Sequence, residues 1–508
     1  MTKRWISMAM AATMWLAGCD GCGDGAQTPD PAPAEGTAQA SENGFVPFGA
    51  DAAPQEAPEP EVPPERPDFV HDEAPSVSDF ATTPVTGGWT VLGGNLQRSG
   101  MRDVRPITQP EVAWSIEVGI QGYANTPIVL EDGSVYVSSQ GNRWNNRERD
   151  ARDDRNGVYR LNPENGAILW HVHTDQDANG MAVAGDTLVV GTDNGEVLAI
   201  DRNEGEVLWR QQLECGVTSA PLIDGDRVVV YRRDRLATLS LATGEVVGEP
   251  LGECRNGERG WISVDGDTWY VSYVRRALEV REGGELQWAI DEPAEQMGGW
   301  DGWQPPIVTA SMFVQQYHRW PFGNAAERGS RRPGVVAFWR DNGQVAWTID
   351  VNEPSLSVDD RRLPADFLRA NPWIVGDRML YTPTNRPELV AYNVVDGSVV
   401  DTLEMPDCRR RQFASMAGTP SMGYLPRHDG VLYGIRPNPL AIAWRITLGL
   451  HGAAGLRETQ APVDGAECSA DPTNGNALFS TPAIGPDGTV YIGAGDGWIY
   501  ALRDANWE

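Results

Sequence analysis

Apolar and polar residues alternate at strand period along most of the chain. Gly195-Glu196-Val197-Leu198-Ala199-Ile200-Asp201 and Gly497-Trp498-Ile499-Tyr500-Ala501-Leu502 each follow a turn, Asp193-Asn194-Gly195 and Asp496-Gly497. The fuller unit opens with an inner strand such as Thr481-Pro482-Ala483-Ile484, then Asp487-Gly488, then a second strand, Thr489-Val490-Tyr491-Ile492. A third strand, a turn and a fourth strand ending in tryptophan complete it, as in Asn165-Gly166-Ala167-Ile168-Leu169-Trp170 and Glu204-Gly205-Glu206-Val207-Leu208-Trp209. Four strands repeating at roughly 40–50 residues are the signature of propeller blades.

Aligned on the terminal tryptophan, the units end at Trp114, Trp170, Trp209, Gly248, Trp288, Trp347, Asp401 and Trp444. Gly248 and Asp401 depart from the pattern. The last unit stops near Asp504 after three strands, so Val112-Ala113-Trp114 at the start must supply its fourth. Pairing the two chain ends removes the open sheet edge. The expected fold is therefore all-β: an eight-bladed propeller of four-stranded antiparallel blades, closed by an N-terminal strand, over residues 88–508.

The unit resembles the quinoprotein-like (PQQ-like) repeat of alcohol dehydrogenases that bind pyrroloquinoline quinone and of BamB-type lipoproteins of outer-membrane barrel assembly. The resemblance covers about 111–504, plus the opening Gly93-Gly94-Asn95-Leu96-Gln97-Arg98-Ser99-Gly100. It implies a blade-docking role for Trp114, Trp170, Trp209, Trp288, Trp347 and Trp444.

The N-terminus breaks the alternation. Lys3 and Arg4 precede an apolar stretch from Trp5 to Leu16, too short to span a bilayer, and Leu16-Ala17-Gly18-Cys19 closes it. This resembles a lipobox: residues 1–18 read as a signal peptide, with Cys19 lipidated. Residues 19–87, rich in Pro, Ala, Glu and Asp, read as a disordered acidic tether. The expected location is the bacterial envelope, periplasmic or surface-facing, at an inner or outer membrane. The net charge of −30 becomes −32 once Lys3 and Arg4 leave with the leader. Such a balance argues against nucleic-acid partners. Lys3 is the only lysine, so the mature chain has neither a Schiff-base amine nor a phosphate-loop lysine.

Long insertions run from Val137 to about Asn156, Val314 to about Pro333, Thr348 to about Ala370, Thr402 to Arg411, and Arg445 to Phe479. They join second to third strands or one blade to the next, and both connections emerge on the same face. Cys215 and Cys254 hold equivalent places in consecutive blades, and Cys408 and Cys468 sit in successive blade-to-blade loops. An exported protein can keep disulfides, so Cys215–Cys254 and Cys408–Cys468 are expected. The same face collects Trp144, Arg232, Arg233, Arg275, Arg276, Trp300, Trp303, Tyr317, Trp320 and Trp373, a candidate surface for acidic or carboxylate-bearing partners.

Catalytic signals are weak. No two cysteines are adjacent, whereas the resemblance would place a vicinal pair beneath the quinone, so no cofactor is expected. Asp150, Asp153, Asp154 and Asn156 lack calcium-loop spacing, and His171 with His173 alone rarely specify zinc, so no metal is expected. The resulting expectation is a monomeric, non-catalytic scaffold binding envelope proteins or peptides. The alternative is a small-ligand or glycan sensor; a quinone-dependent dehydrogenase ranks last.

Overall fold

A computed structural model describes residues 65, 69–122, 125–141, 154–214, 220–232, 235–248, 261–272, 276–291, 305–319, 332–350, 370–382, 388–405, 414–427, 429–449 and 478–506. All fall within one compact unit, Val62–Glu508. No helix among the described residues is long and apolar enough to cross a membrane.

Eight antiparallel sheets follow one another in chain order. Blades 1 to 7 cover residues 128–173, 178–212, 222–240, 261–291, 307–350, 373–404 and 417–447. Blade 8 combines 483–504 with the early strand Pro110–Glu117. That strand pairs antiparallel with Trp498–Asp504, with Trp114 opposite Ala501 and a register shift between Val112 and Trp114. The ring is closed by its own first segment. Seven sheets have four strands; blade 3 has three, and its fourth is reduced to a bridge between Leu239 and Val246. Blade 3 is also the unit in which Gly248 replaces the terminal tryptophan, leaving no indole to anchor that strand on the next blade.

The tryptophans show how sequence sets packing. A Cβ on Gly166, Gly244 or Gly343 would lie 2.5, 2.5 or 2.6 Å from the ring of Trp114, Trp209 or Trp288, the tryptophan one blade earlier. Each indole lies flat on a glycine in the third-to-fourth-strand turn of its neighbour. Gly166, at φ +73°, must also take a left-handed turn, so one residue type serves both needs. The ring nitrogens of Trp114, Trp209 and Trp347 donate to the carbonyls of Pro163, Leu241 and Val394 at 2.7–2.8 Å, each three residues before the contacted glycine. Trp444 donates instead to Ile107 O at 2.8 Å, fixing blade 7 to the chain that enters blade 8. At the other departure, Asp401 Oδ2 accepts from Leu440 N–H at 3.3 Å, and the facing turn carries Asn438-Pro439, joined by a cis bond, in place of glycine.

Contacts with the blades extend upstream of residue 88. Ser76 N–H donates to Asp79 Oδ2 at 2.8 Å at the head of a 3-10 turn, Val77–Phe80, which sinks Phe80 against Trp347. Phe80 and Val85 are buried, so the stretch 69–87 carries side chains that pack into the propeller. Upstream, His71 stacks on Trp339 at 3.8 Å and meets Asp341 at 3.0 Å, on the third-to-fourth-strand turn of blade 5.

From Trp89 to Arg102 the chain makes one circuit of the ring. Trp89 exchanges backbone hydrogen bonds with Val129 of blade 1, at 2.7 and 3.1 Å, and Thr90 O accepts from Val183 of blade 2. Val91 packs with Ile223 of blade 3. Leu96 O and Gln97 O accept from Val264 of blade 4 and Val308 of blade 5, both at 2.9 Å. Met101 packs with Trp373 of blade 6, Gly100 O accepts from Gly418 of blade 7, and Arg102 Nη1 reaches Ile484 O of blade 8 at 3.2 Å. Apart from Trp373, which opens the inner strand of blade 6, the partners sit at or beside first-to-second-strand turns. The segment is thus a plug over one end of the axial channel, on the face opposite the long connections.

Candidate functional site: the loop face and the plugged axis

Inner strands begin on the loop face and run toward the plug. Just before or at their starts, polar side chains link successive blades around the axis. Asn125 Nδ2 donates to Ala178 O at 3.2 Å, Ser263 Oγ to Pro306 O at 2.5 Å, and Asn371 Nδ2 to Pro305 O at 2.7 Å. Asn371 N–H donates to Ser415 Oγ at 2.9 Å, Ser415 N–H to Thr481 Oγ1 at 3.2 Å, and Thr126 Oγ1 to Thr481 O at 2.9 Å. This girdle joins six of the eight blade pairs with groups that tie up otherwise orphaned inner-strand backbone.

The plug tip meets the girdle at a cavity of about 20 Å³, lined by Leu92, Arg98, Ser99, Asn371, Trp373 and Ser415 among others. That volume has room for about one water-sized guest.

Of the residues expected on the loop face, Arg232 ends the second strand of blade 3, Arg276 opens the third strand of blade 4, and Tyr317 lies in the second strand of blade 5. Their backbones are at the loop-face ends of those blades: Arg232 pairs with Arg235, Arg276 with Asp291 and Tyr317 with Gly334. Trp144, Arg233, Arg275, Trp300, Trp303 and Trp320 lie outside the described residues, as do Cys19, Cys215, Cys254, Cys408 and Cys468. Trp373 is a correction. It is 1% exposed, and a Cβ on Gly418 or Gly423 of blade 7 would lie 2.4 or 2.9 Å from its ring. Two glycines make room for the indole between blades, so it packs in the core instead of lining an open mouth. The strands also extend beyond the expected bounds, to Gln140, Arg319, Asp350, Glu404 and Thr447, which shortens each insertion.

His171 and His173 are 6.2 Å apart and edge-on. His171 stacks on Tyr159 at 4.0 Å, and its Nε2 meets Asn156 O at 3.0 Å. Burial lowers its pKa, and neighbouring His173 adds to this. Among the described residues no cluster of three metal-ligating side chains occurs.

The model of the family "Outer membrane protein assembly factor BamB" matches residues 154–298, blades 2 to 4 with the end of blade 1. The repeat is similar to the quinoprotein-like type. A BamB from Nitrosomonas eutropha is 29% identical over 122 residues, 24% of this chain and 26% of that protein. A quinohemoprotein alcohol dehydrogenase, ADH IIB of Pseudomonas putida, is 24% identical over 53% of this chain and 40% of its own length. The chain therefore spans well under half of either relative. The crystal structure of BamB from Moraxella catarrhalis superposes with a TM-score of 0.52 at 15% identity, covering 78% of this chain and 99% of that one. The quinoprotein-like relatives thus include an assembly factor and a redox enzyme on one architecture.

Nothing in the repeat pattern flagged the plug as part of a site. The signal was present in Gly93-Gly94 and in Arg98, the described non-glycine residue with positive φ, at 62°.

Proposed function

We propose that this chain is a lipid-anchored, non-catalytic scaffold of the bacterial envelope that binds protein or peptide partners through its loop face. The observation that carries the reading is the plug, which touches all eight blades and occupies the opposite face. The chain enters the domain at residue 69, beside the blade 5 turns on the plug side. Loops carried on a rigid scaffold are where recognition concentrates. Partial similarity to BamB supports an envelope setting. The arginines of that face suit acidic partner segments through charge-assisted hydrogen bonds.

The test is capture of partners from solubilised envelopes by the mature chain. Reversing charge at Arg232, Arg233, Arg275 and Arg276 together should abolish specific capture, and Glu164→Arg, on a plug-side turn, should not. Cys19→Ser should move the protein from the membrane fraction to the soluble one. Equal capture by the loop-face and plug-side variants would overturn the assignment of the binding face. Reduction of dyes with alcohols after quinone loading would overturn the non-catalytic reading.

A further inference from the structure

Arg98 stands apart among the described residues. It sits at the plug tip, 6% exposed, in a left-handed conformation that L residues adopt only under constraint. Its Nη1 donates to Leu92 O at 2.6 Å, and Nη2 and Nε donate to Ile262 O at 2.8 and 3.3 Å. Carbonyls supply hydrogen bonds but no compensating charge. Among the described residues Arg98 has no carboxylate partner, whereas buried Arg102 pairs with Glu131 at 2.6 Å and buried Arg281 with Glu279 at 2.9 Å. Burial lowers the pKa of Arg98 to about 9, which still leaves it charged at neutral pH. An isolated buried cation is strongly unfavourable unless something neutralises it.

Two further donors line the same cavity without partners: the Ser99 hydroxyl, at 2% exposure, and the Trp373 indole N–H, at 1%. A water could satisfy these two donors but would leave the guanidinium charge uncompensated. Asn371 Oδ1 is a remaining acceptor for a bridging water, since Nδ2 of the same amide is held by Pro305 O. A monatomic guest matches a cavity of about 20 Å³. We propose that the closed end of the axial channel is a binding site for a monatomic monovalent anion of chloride size, held by Arg98 with Ser99 and Trp373 as donors.

Thermal unfolding of the mature chain at fixed ionic strength, with gluconate replaced stepwise by chloride or bromide, tests this. A ligand that binds only the folded state raises the melting temperature in a saturable way. Arg98→Met should remove the halide-dependent rise in melting temperature. Trp373→Phe, which keeps a ring in the core and deletes the donor, should shift the halide midpoint up by about tenfold, the effect of one lost hydrogen bond. If Arg98 only staples the plug through its carbonyl bonds, Arg98→Met will lower the melting temperature equally in both salts, and the proposal falls. Should that variant fail to fold, bromide-soaked wild-type crystals give an independent reading. A bromine anomalous peak within hydrogen-bonding reach of Arg98 supports the site, and its absence at saturating bromide overturns it.

Discussion

Asp504 and Thr108 are 396 residues apart in sequence, yet one carboxylate oxygen of Asp504 accepts both the backbone N–H of Thr108, at 2.5 Å, and its hydroxyl, at 2.7 Å. The same oxygen takes Gln109 N–H at 3.3 Å, and the other takes Asn506 N–H at 2.9 Å. This latch sits where the early strand joins blade 8, so it fastens the ring at its only covalent gap. Burial alone would raise the Asp504 pKa. The hydrogen bonds from Thr108, Asn506 and Gln109 outweigh it and hold the carboxyl far below the usual carboxylate range.

Asp504→Asn should therefore cost about 1.5–3 kcal/mol at neutral pH, the range for hydrogen bonds to a charged group. Because the folded-state pKa is depressed, the carboxylate's contribution is complete above about pH 4, the unfolded value. It is lost as pH falls toward the lower folded value. Denaturant titrations should show the difference between wild type and variant shrinking steadily below pH 4. A difference that stays constant down to pH 2 would remove the latch from the account.

Blade docking predicts a contrast between glycines that share one backbone conformation. Gly244, at φ +74°, faces the Trp209 ring, and an added Cβ would lie 2.5 Å from it; Gly225, at φ +60°, has nothing within 4 Å. Gly225→Ala should cost only the left-handed penalty of roughly 1–2 kcal/mol. Gly244→Ala carries that penalty and overpacking of about 1–3 kcal/mol more. Equal costs in denaturant unfolding would mean that the indole yields freely, and that the tryptophans do not fix blade spacing.

The girdle predicts sensitivity at Thr126. Thr126→Val keeps shape but removes the shorter of two hydrogen bonds to Thr481 O, leaving the one from the Ser480 hydroxyl at 3.3 Å, at a cost of about 0.5–1.5 kcal/mol. Thr126→Ser keeps the hydroxyl and should cost less than half as much. If both substitutions cost the same, the methyl packing matters and the inter-blade hydrogen bond does not.

Ring architecture was legible because it is written in periodic chemistry. A tryptophan closes most units, a glycine turn sits opposite every such ring but that of Trp444, and an unpaired last blade calls for a first strand. Even the two exceptions, Gly248 and Asp401, mark real departures: a fourth strand reduced to a bridge, and a carboxylate that caps the next turn. The axis was not legible. Trp373 looks like any other aromatic near a loop, and only Gly418 and Gly423, distant in sequence, reveal that its ring is enclosed. The plug has no period at all. Its residues each answer to a different blade, so strand alternation could not detect it, and the low hydrophobicity around residues 69–87 hid the few apolar positions that matter.

Those few positions give the last prediction. Phe80 packs with Trp347 at 6.0 Å between centroids, and Val85 joins the cluster around Trp89 and Tyr491. A mature chain beginning at residue 69 keeps both; one beginning at residue 88 loses both, together with the Asp79 contacts to Thr309 and Ser311. Exposing the sites left by a buried phenylalanine and valine should cost about 3–6 kcal/mol, since each fully buried apolar side chain contributes roughly 1.5–3 kcal/mol. The shorter chain should therefore unfold at lower denaturant, while the chain starting at 69 matches the full mature protein. Limited proteolysis gives the same answer kinetically: cleavage from the N-terminal side should stop near residue 69, where contacts with blade 5 begin. If digestion runs through to residue 88 without loss of the cooperative transition, the contacts of residues 69–87 do not hold the domain together.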